Sequence, residues 1–312
     1  MTDEVLHGVR VLFTPGQVIE VRAITDDGMA SGYFDDPEQL AAKVDTLDGL
    51  PGMQGIYVTL NEVNPALLSR RANRIKTRLS KKDATTADAD ILRRHWFPVD
   101  VDPVRPSGVS STDEEHQAAL DSAVRIADYL GGMGWPAPVF ADSGNGAHLL
   151  YRIDLPNDDR NRDLVKRCLE VLSALFDDDQ TTVDTANHNA ARIWKLYGTM
   201  SRKGDNTSDR PHRRSRILSV PVEVEVVAED FLDSLAAALP SGAPDPALTR
   251  TKGPKQPINL ASWLRAVSYT HLRAHETVLA LVCRLLLAKK NTSTSLIHDK
   301  RIFHNHTQHH DP

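Results

Sequence analysis

The 312-residue chain is poor in cysteine and in aromatic residues, and each shortage excludes a class of protein. Its two cysteines, Cys168 and Cys283, do not make a disulfide framework or a cysteine-based zinc site. Aromatic side chains are only 5% of the residues, so we expect no prominent platform for stacking bases. The sequence shows neither a signal peptide nor an apolar run near the length that spans a bilayer, which predicts a soluble cytoplasmic protein.

Positive charge is also in short supply, because 37 Lys and Arg face 42 Asp and Glu, for a formal net charge of −5. An acidic balance argues against an ordinary DNA-binding protein, for which a basic domain is expected. The distribution of charge matters more than its sum. Basic residues are concentrated in residues 70–82 (RRANRIKTRLSKK) and again in residues 192–216. Both regions are candidates for binding nucleic acid or phosphate, and the alternative is a solvated surface with ordinary ion pairs.

Two carboxylates lie inside an apolar run. Asp100 and Asp102 are two residues apart in WFPVDVD, which is typical of a buried strand, so both side chains leave the same face. Carboxylates placed side by side repel each other, and burying them unpaired is costly. A divalent cation is the usual compensation, and Asp184 can supply a third acid. Oxygen ligands of this kind suit magnesium or manganese, so the sequence predicts a metal site for phosphoryl transfer.

A glycine-containing turn and a histidine follow the acid pair. Residues 143–151 read SGNGAHLLY, which predicts a hairpin turn and then a strand that carries His148. A plain hairpin and a structural histidine are the alternatives to a functional role.

These segments, with TVDTANHNAARIWKLYGT at residues 182–199, resemble the archaeo-eukaryotic primase superfamily. The likeness is greatest to the primase-polymerases of phages, plasmids and integrated elements, and it covers roughly residues 57–221. That superfamily carries a DxD or DxE pair, a serine-containing turn leading to a histidine, and a later single acid. The resemblance implies a nucleotidyltransferase that makes primers on single-stranded DNA from nucleoside triphosphates, with two Mg²⁺ or Mn²⁺ ions, in phage or mobile-element replication.

The resemblance also implies roles for individual residues. The catalytic metal ligands would be Asp100, Asp102 and Asp184. The incoming nucleotide would be held by Ser143, Gly144, Gly146, His148, Arg192 and Lys195, with backbone N–H groups of the turn near its phosphates. From the two concentrations of positive charge, and not from the resemblance, we expect the nucleic acid to be held by Arg70, Arg71, Arg74, Lys203, Arg210 and Arg213.

Two other functions remain open at this point. The first is a non-catalytic DNA-binding replication initiator module, against which the three acids argue. The second is a metal-dependent nuclease or nicking initiator. That class needs a paired-histidine metal site, and the chain has no His-x-His signature between His116 and His188.

The predicted fold class is α+β. Residues 1–94 form an N-terminal α/β unit, with an opening strand at residues 9–13 and a helix across residues 64–75. Residues 95–221 form the catalytic core, an RRM-like (ferredoxin-like) βαββαβ arrangement with helices on one side of a mixed sheet. A capping box at Thr112 and Glu115 begins the first core helix. Residues 222–266 form a helix and a linker toward a downstream domain, for which a helicase is the expected partner.

Residues 267–312 resemble a translated sequencing adapter, beginning with VSYTHLRAHET. We treat this tail as a probable artefact and exclude it from fold reasoning. The alternative is a genuine histidine-rich tail that binds metal.

Overall fold

The structure is a computed structural model that describes residues 2–239. The predicted linker and the adapter-like tail lie outside the described residues, apart from the start of the 222–266 segment. The described part is a mixed α/β fold built on antiparallel sheets, in agreement with the predicted α+β class. Within residues 2–239 we find no helix that is both long and apolar enough to cross a membrane.

The chain begins with a helix, so the predicted opening strand is wrong. Helix α1 (Thr2–Leu12) buries Val5, Val9 and Leu12. Their spacing of four and three residues places them on one helical stripe. The short apolar run at residues 9–13 is the end of that stripe, and a run of five residues does not distinguish a helix from a strand.

An antiparallel sheet follows, with a helix between its second and third strands. The elements are β1 (Ile19–Thr25), β2 (Gly28–Phe34), α2 (Pro37–Asp48) and β3 (Met53–Thr59). The strand order is β2-β1-β3, and a fourth strand from much later in the chain pairs with β3. Asp36 caps α2 by accepting from the Gln39 N–H at 2.9 Å.

The basic run at residues 70–82 is not helical, and the predicted helix over residues 64–75 is wrong. After β4 (Glu62–Val63), only a 3-10 turn over Pro65–Arg70 forms. The chain then runs along β2, where Lys76 and Ser31 exchange backbone hydrogen bonds of 2.9 and 3.1 Å. The edge of β2 offers N–H and C=O groups that need partners, and the basic segment supplies them.

The second half contains the predicted βαββαβ succession. Its elements are β5 (Ile91–Pro103), α3 (Asp113–Gly132), β6 (Val139–Asp142), β7 (Ala147–Pro156), α4 (Asp159–Phe176) and β8 (Thr181–Val183). β5 lies between β7 and β8, and β6 lies beyond β7. These pairs are all antiparallel, whereas a mixed sheet was predicted. The capping box at Thr112 and Glu115 is confirmed. The RRM-like designation and the domain boundaries stay predictions.

Five shorter elements complete the described part. They are β9 (Ile193–Lys195), β10 (Met200–Ser201), β11 (Arg213–Arg214), β12 (Arg216–Ser219) and α5 (Glu229–Ala236). β9 is the fourth strand of the N-terminal sheet, paired with β3, and β12 pairs with β6. As a result one hydrophobic core contains both Val58 of the N-terminal sheet and Trp96 of β5.

The two faces of β5 have different environments. Val99 and Val101 belong to the core formed with α3 and α4 and are fully buried. Because side chains alternate along a strand, Asp100 and Asp102 leave the opposite face. The packing of the valines therefore aims both carboxylates away from the helices.

Candidate functional site

The strand register places Asp184, Asp100 and His148 side by side, and we call this set the acid–histidine row. Asp100 is paired with His148 of β7. On the other side of β5, Val101 is paired with Val183, and the Asp184 N–H donates to the Asp100 carbonyl at 2.9 Å. Residues directly opposite each other in antiparallel strands share a face. The predicted acids and histidine thus come together on one side of the sheet, with Asp102 one pleat further along β5.

Each carboxylate of this group has a cationic or imidazole partner. His148 Nε2 lies 3.4 Å from Asp100 Oδ1. Arg105 Nη1 lies 3.2 Å from Asp102 Oδ1. Asp184, the residue after β8, caps the following turn with one carboxylate oxygen and pairs with Arg192 through the other.

Asp184 and Arg192 form an ion pair of 3.1 Å at the end of the row. The other Asp184 oxygen accepts from the Ala186 N–H at 2.9 Å. Arg192 also donates from Nε to the Asn187 side chain at 2.8 Å. Arg192, predicted to bind the nucleotide, therefore contacts Asp184, predicted to bind metal. The sequence spacing alone did not indicate this contact.

The carboxyl groups of β5 have pKa values shifted in opposite directions. Burial and then the negative charge of Asp100 raise the pKa of Asp102 above its ordinary value, against the opposing charges of Arg105 and Lys203. Burial also pushes the pKa of Asp100 upward, but the charge and the hydrogen bond of His148, with two nearby cations, lower it overall. Asp100 is therefore the more firmly ionised of the two.

The donor chemistry of three carboxylates suits a hard divalent cation. The side chains of Asp102 and Asp184 are 39% and 31% exposed, so an ion can reach them from solvent. As their side chains stand, residues 2–239 contain no group of three or more His, Cys, Asp or Glu side chains that could hold a metal ion. The predicted ligands thus fit in identity and register, and their assignment as metal ligands stays a prediction.

The glycine-containing turn has its own hydrogen bonds. The Gly144 N–H donates to the Asp142 carboxylate at 2.6 Å, and the Gly146 N–H donates to the Ser143 hydroxyl at 2.9 Å. The Ser143 N–H donates to the Gly146 carbonyl at 3.0 Å. The backbone donors predicted to approach phosphates therefore have acceptors inside the protein, and the nucleotide-binding role of the turn stays a prediction.

Both glycines of this turn are required by close backbone approach. A Cβ on Gly146 would lie 2.3 Å from the Val101 carbonyl oxygen. Gly144 has a φ of +92°, and a Cβ there would lie 2.8 Å from the Arg213 carbonyl oxygen. The turn is consequently pressed against β5 at the level of the two acids.

Lys195 is placed differently from Arg192. Its side chain is nearly buried, and its ammonium donates to the Met200 carbonyl at 2.7 Å, with Nζ 5.5 Å from the centre of the Tyr57 ring. Asp48, at the end of α2, is the acid whose charge acts on it. Lys195 thus belongs to a buried polar network, and its predicted contact with nucleotide stays a prediction.

We expect the Lys195→Met substitution to flatten the rise of stability with pH. Burial, above all, lowers the pKa of Lys195 to about 7, whereas an unfolded lysine titrates near pH ~10.4. Between those values the unfolded chain binds more protons, so the free energy of unfolding rises with pH by up to about 1.4 kcal/mol per unit. Urea titrations at about pH 7.5 and 8.5, inside that window, measure this. Equal slopes for both proteins would show that the buried ammonium stays charged.

The predicted nucleic-acid ligands divide into structural and exposed groups. Arg71 is buried and donates to the Ser31 hydroxyl at 3.2 Å and to the Ala84 carbonyl at 2.9 Å. Arg70 is 30% exposed and donates to the Tyr33 hydroxyl at 3.3 Å. The reason is that residues 70–76 lie along β2 instead of forming a solvated helix.

The later arginines are tied to the start of α3. Arg210 makes a two-pronged ion pair with Glu115, at 2.7 and 2.9 Å. Arg213 donates to Asp113 at 2.6 Å. Arg74 and Lys203 are exposed, and of the predicted set they are the ones best placed for solvent-borne phosphates. DNA binding by any of the six stays a prediction.

Sequence reasoning missed Arg105. Its side chain is only 8% exposed, and it pairs with Asp102 while Nε donates to the Val109 carbonyl at 3.1 Å. Asp102, Arg105, Gly108 and Lys203 line an open pocket of about 230 Å³. The signal was available, since an arginine three residues after a buried acid pair is an obvious counterion.

Comparisons with known proteins find two weak likenesses to solved structures. No protein family and no curated protein matches it by sequence. The AEP domain of the primase-polymerase of cyanophage S-2L is similar at 15% identity and a TM-score of 0.45, over 76% of this chain and 98% of that one. The primase RepB′ is similar at 9% identity and a TM-score of 0.43, over 75% of this chain and 61% of that one. Both neighbours are named as primases. At similarities this low, the function has to be inferred from the side chains of the site.

Proposed function

We propose that the protein is a template-directed nucleotidyltransferase that synthesises primers on single-stranded DNA from nucleoside triphosphates. The observation that carries this proposal is the acid–histidine row, in which Asp100 and His148 are paired on neighbouring strands and Asp184, directly after β8, lies beside Asp100. A site for divalent ions requires acids that the fold brings side by side from distant parts of the sequence.

Asp100, Asp102 and Asp184 would hold two Mg²⁺ or Mn²⁺ ions. When bound, such ions make a hydroxyl a better nucleophile and stabilise the negative charge of a departing pyrophosphate. The chain itself fixes the positions of two of these acids. Because β5 is paired with both β7 and β8, Asp100 and Asp184 cannot move apart without breaking the pairing of β5 with β8.

Cations surround the acids and suit a triphosphate substrate. Arg192 lies at the Asp184 end of the row, while Arg105 and Lys203 lie in the pocket beside Asp102. Transfer of a nucleotidyl group needs fixed positive charge near the phosphates in addition to metal ions. Each arginine is now paired with an acid, so metal binding to that acid would free its guanidinium for a phosphate.

The deciding experiment is primer synthesis by the full chain. We expect labelled nucleotides to be incorporated on a single-stranded template without an added primer when Mg²⁺ or Mn²⁺ is present. Extension of a supplied primer alone would restrict the function to polymerisation. Binding of the template without incorporation in either metal would favour the non-catalytic initiator module, and cleavage of the template would favour the nuclease. The helicase expected to follow the 222–266 segment is not needed in this assay.

A further inference from the structure

His148 is connected to two aromatic residues that the proposed mechanism does not use. The histidine is 3% exposed, and its ring centre lies 4.1 Å from that of Trp194. Its Nδ1 lies 2.9 Å from the Tyr197 hydroxyl oxygen, while Nε2 faces Asp100 at 3.4 Å. Trp194 and Tyr197 follow the third acid closely in the chain, in and just after β9.

The direction of the hydrogen bonds in this group can be worked out from their donors. The Trp194 indole N–H is a donor only, and it points to the Tyr197 hydroxyl oxygen at 2.9 Å. The hydroxyl hydrogen of Tyr197 then needs another acceptor. Tyr197 is 1% exposed, and in the described part of the chain the other polar group at hydrogen-bond distance from this oxygen is His148 Nδ1.

The two ends of the imidazole select the same tautomer. If Nδ1 accepts from Tyr197, the hydrogen of a neutral ring is on Nε2, where it points toward the Asp100 carboxylate. The opposite tautomer would set the Nε2 lone pair against that carboxylate and leave the Tyr197 hydroxyl hydrogen without an acceptor. Leaving a buried donor without an acceptor is unfavourable, so the first tautomer is favoured.

We propose that Tyr197, held in place by Trp194, is a positioning residue that fixes His148 in the Nε2–H tautomer. An N–H donor is thereby kept on the side of the ring that faces the acids, where it can be given to an anionic oxygen of a phosphate-bearing substrate. The value of this N–H donor for catalysis rests on the proposed function, whereas the assignment of the tautomer does not. Burial also raises the pKa of the Tyr197 hydroxyl, so this group keeps its hydrogen.

The tautomer can be observed directly in the full chain with ¹⁵N-labelled histidine. In alkaline solution, long-range ¹H–¹⁵N correlations separate a protonated ring nitrogen from an unprotonated one. The His148 signal is identified by its loss in His148→Asn. We expect protonated Nε2 and unprotonated Nδ1 in the wild type. A protonated Nδ1 in the wild type would overturn the proposal without any further variant.

The Tyr197→Phe substitution tests whether the Tyr197 hydroxyl determines the tautomer of His148. It keeps the ring and removes the hydroxyl, so we expect the His148 nitrogens to shift toward a mixture of tautomers. Nucleotide incorporation should fall about tenfold, which corresponds to the loss of about one hydrogen bond. The matched control is Tyr151→Phe on the strand that carries His148. The Tyr151 hydroxyl is buried without a hydrogen-bond partner among residues 2–239, so neither measurement should change.

The outcomes separate this inference from the proposed function. Incorporation by the wild type, together with an unchanged tautomer in Tyr197→Phe, would overturn the positioning role and leave the primase proposal standing. A shifted tautomer in a protein whose wild type incorporates no nucleotide would support the positioning role and overturn the primase proposal.

Discussion

Replacing Asp100 with alanine should reduce nucleotide incorporation about a thousandfold, equivalent to about 4 kcal/mol of transition-state stabilisation. Asp100 is at the centre of the acid–histidine row and is the acid whose pKa is lowered, so it is the most firmly charged of the β5 carboxylates. The effect should appear in kcat more than in KM, because the metal ions act on the reacting groups.

Stability should change little in Asp100→Ala. The variant loses the contact with His148 but relieves the repulsion that helps to raise the pKa of Asp102. The matched control is Asp154→Ala, an acid on β7 that is 52% exposed and pairs with Arg93. Exposed pairs contribute about 0–1 kcal/mol, so this control should keep full activity. Activity retained in Asp100→Ala would remove the basis of the proposed metal site.

Replacing Asp48 with alanine should destabilise the protein by about 3–5 kcal/mol. The Asp48 side chain is 1% exposed, pairs with Arg202 at 2.7 Å, and lies 3.7 Å from Arg214. It also accepts the Met200 N–H at 3.1 Å, next to the buried Lys195 ammonium. Removing the carboxylate leaves the partly buried guanidinium groups of Arg202 and Arg214 without their shared acid, and this penalty exceeds the value of either ion pair alone.

Chemical denaturation of Asp48→Ala and of Asp45→Ala measures this difference. Asp45 is on the same helix, and among the described residues it has no ion pair, so its loss should cost less than about 1 kcal/mol. A similarly small loss in Asp48→Ala would show that its cationic neighbours are solvated well enough to do without it.

The sequence predicted the parts of this protein that have strong local patterns. The alternation around Asp100 and the capping box at Thr112 each depend on a few neighbouring residues, and the structure has the strand and the helix there. The second helix of the predicted βαββαβ succession is also present as α4, with its apolar stripe buried in the core.

The failures occurred where distant contacts decide the local structure. Residues 71–76 have a composition that suits a helix, but Ala72 and Lys76 form isolated backbone bridges with β2, and Asn73 between them has a φ of +49°. Arg71, predicted as a DNA ligand from its place in the basic run, is buried, and no local pattern shows that its guanidinium reaches the Ser31 hydroxyl. Likewise, Tyr197 gains its significance from His148, a partner that the fold brings to it.

The pairing of β9 with β3 has a consequence for synthesis on the ribosome. The N-terminal sheet obtains its last strand only when Ile193–Lys195 emerges, roughly ten seconds after β3 at ordinary elongation rates. Trp194 and Tyr197 arrive in the same short stretch, just after Asp184. The nascent chain therefore cannot close its N-terminal sheet before the third acid and the support for His148 have been made, so one late segment completes both the scaffold and the site.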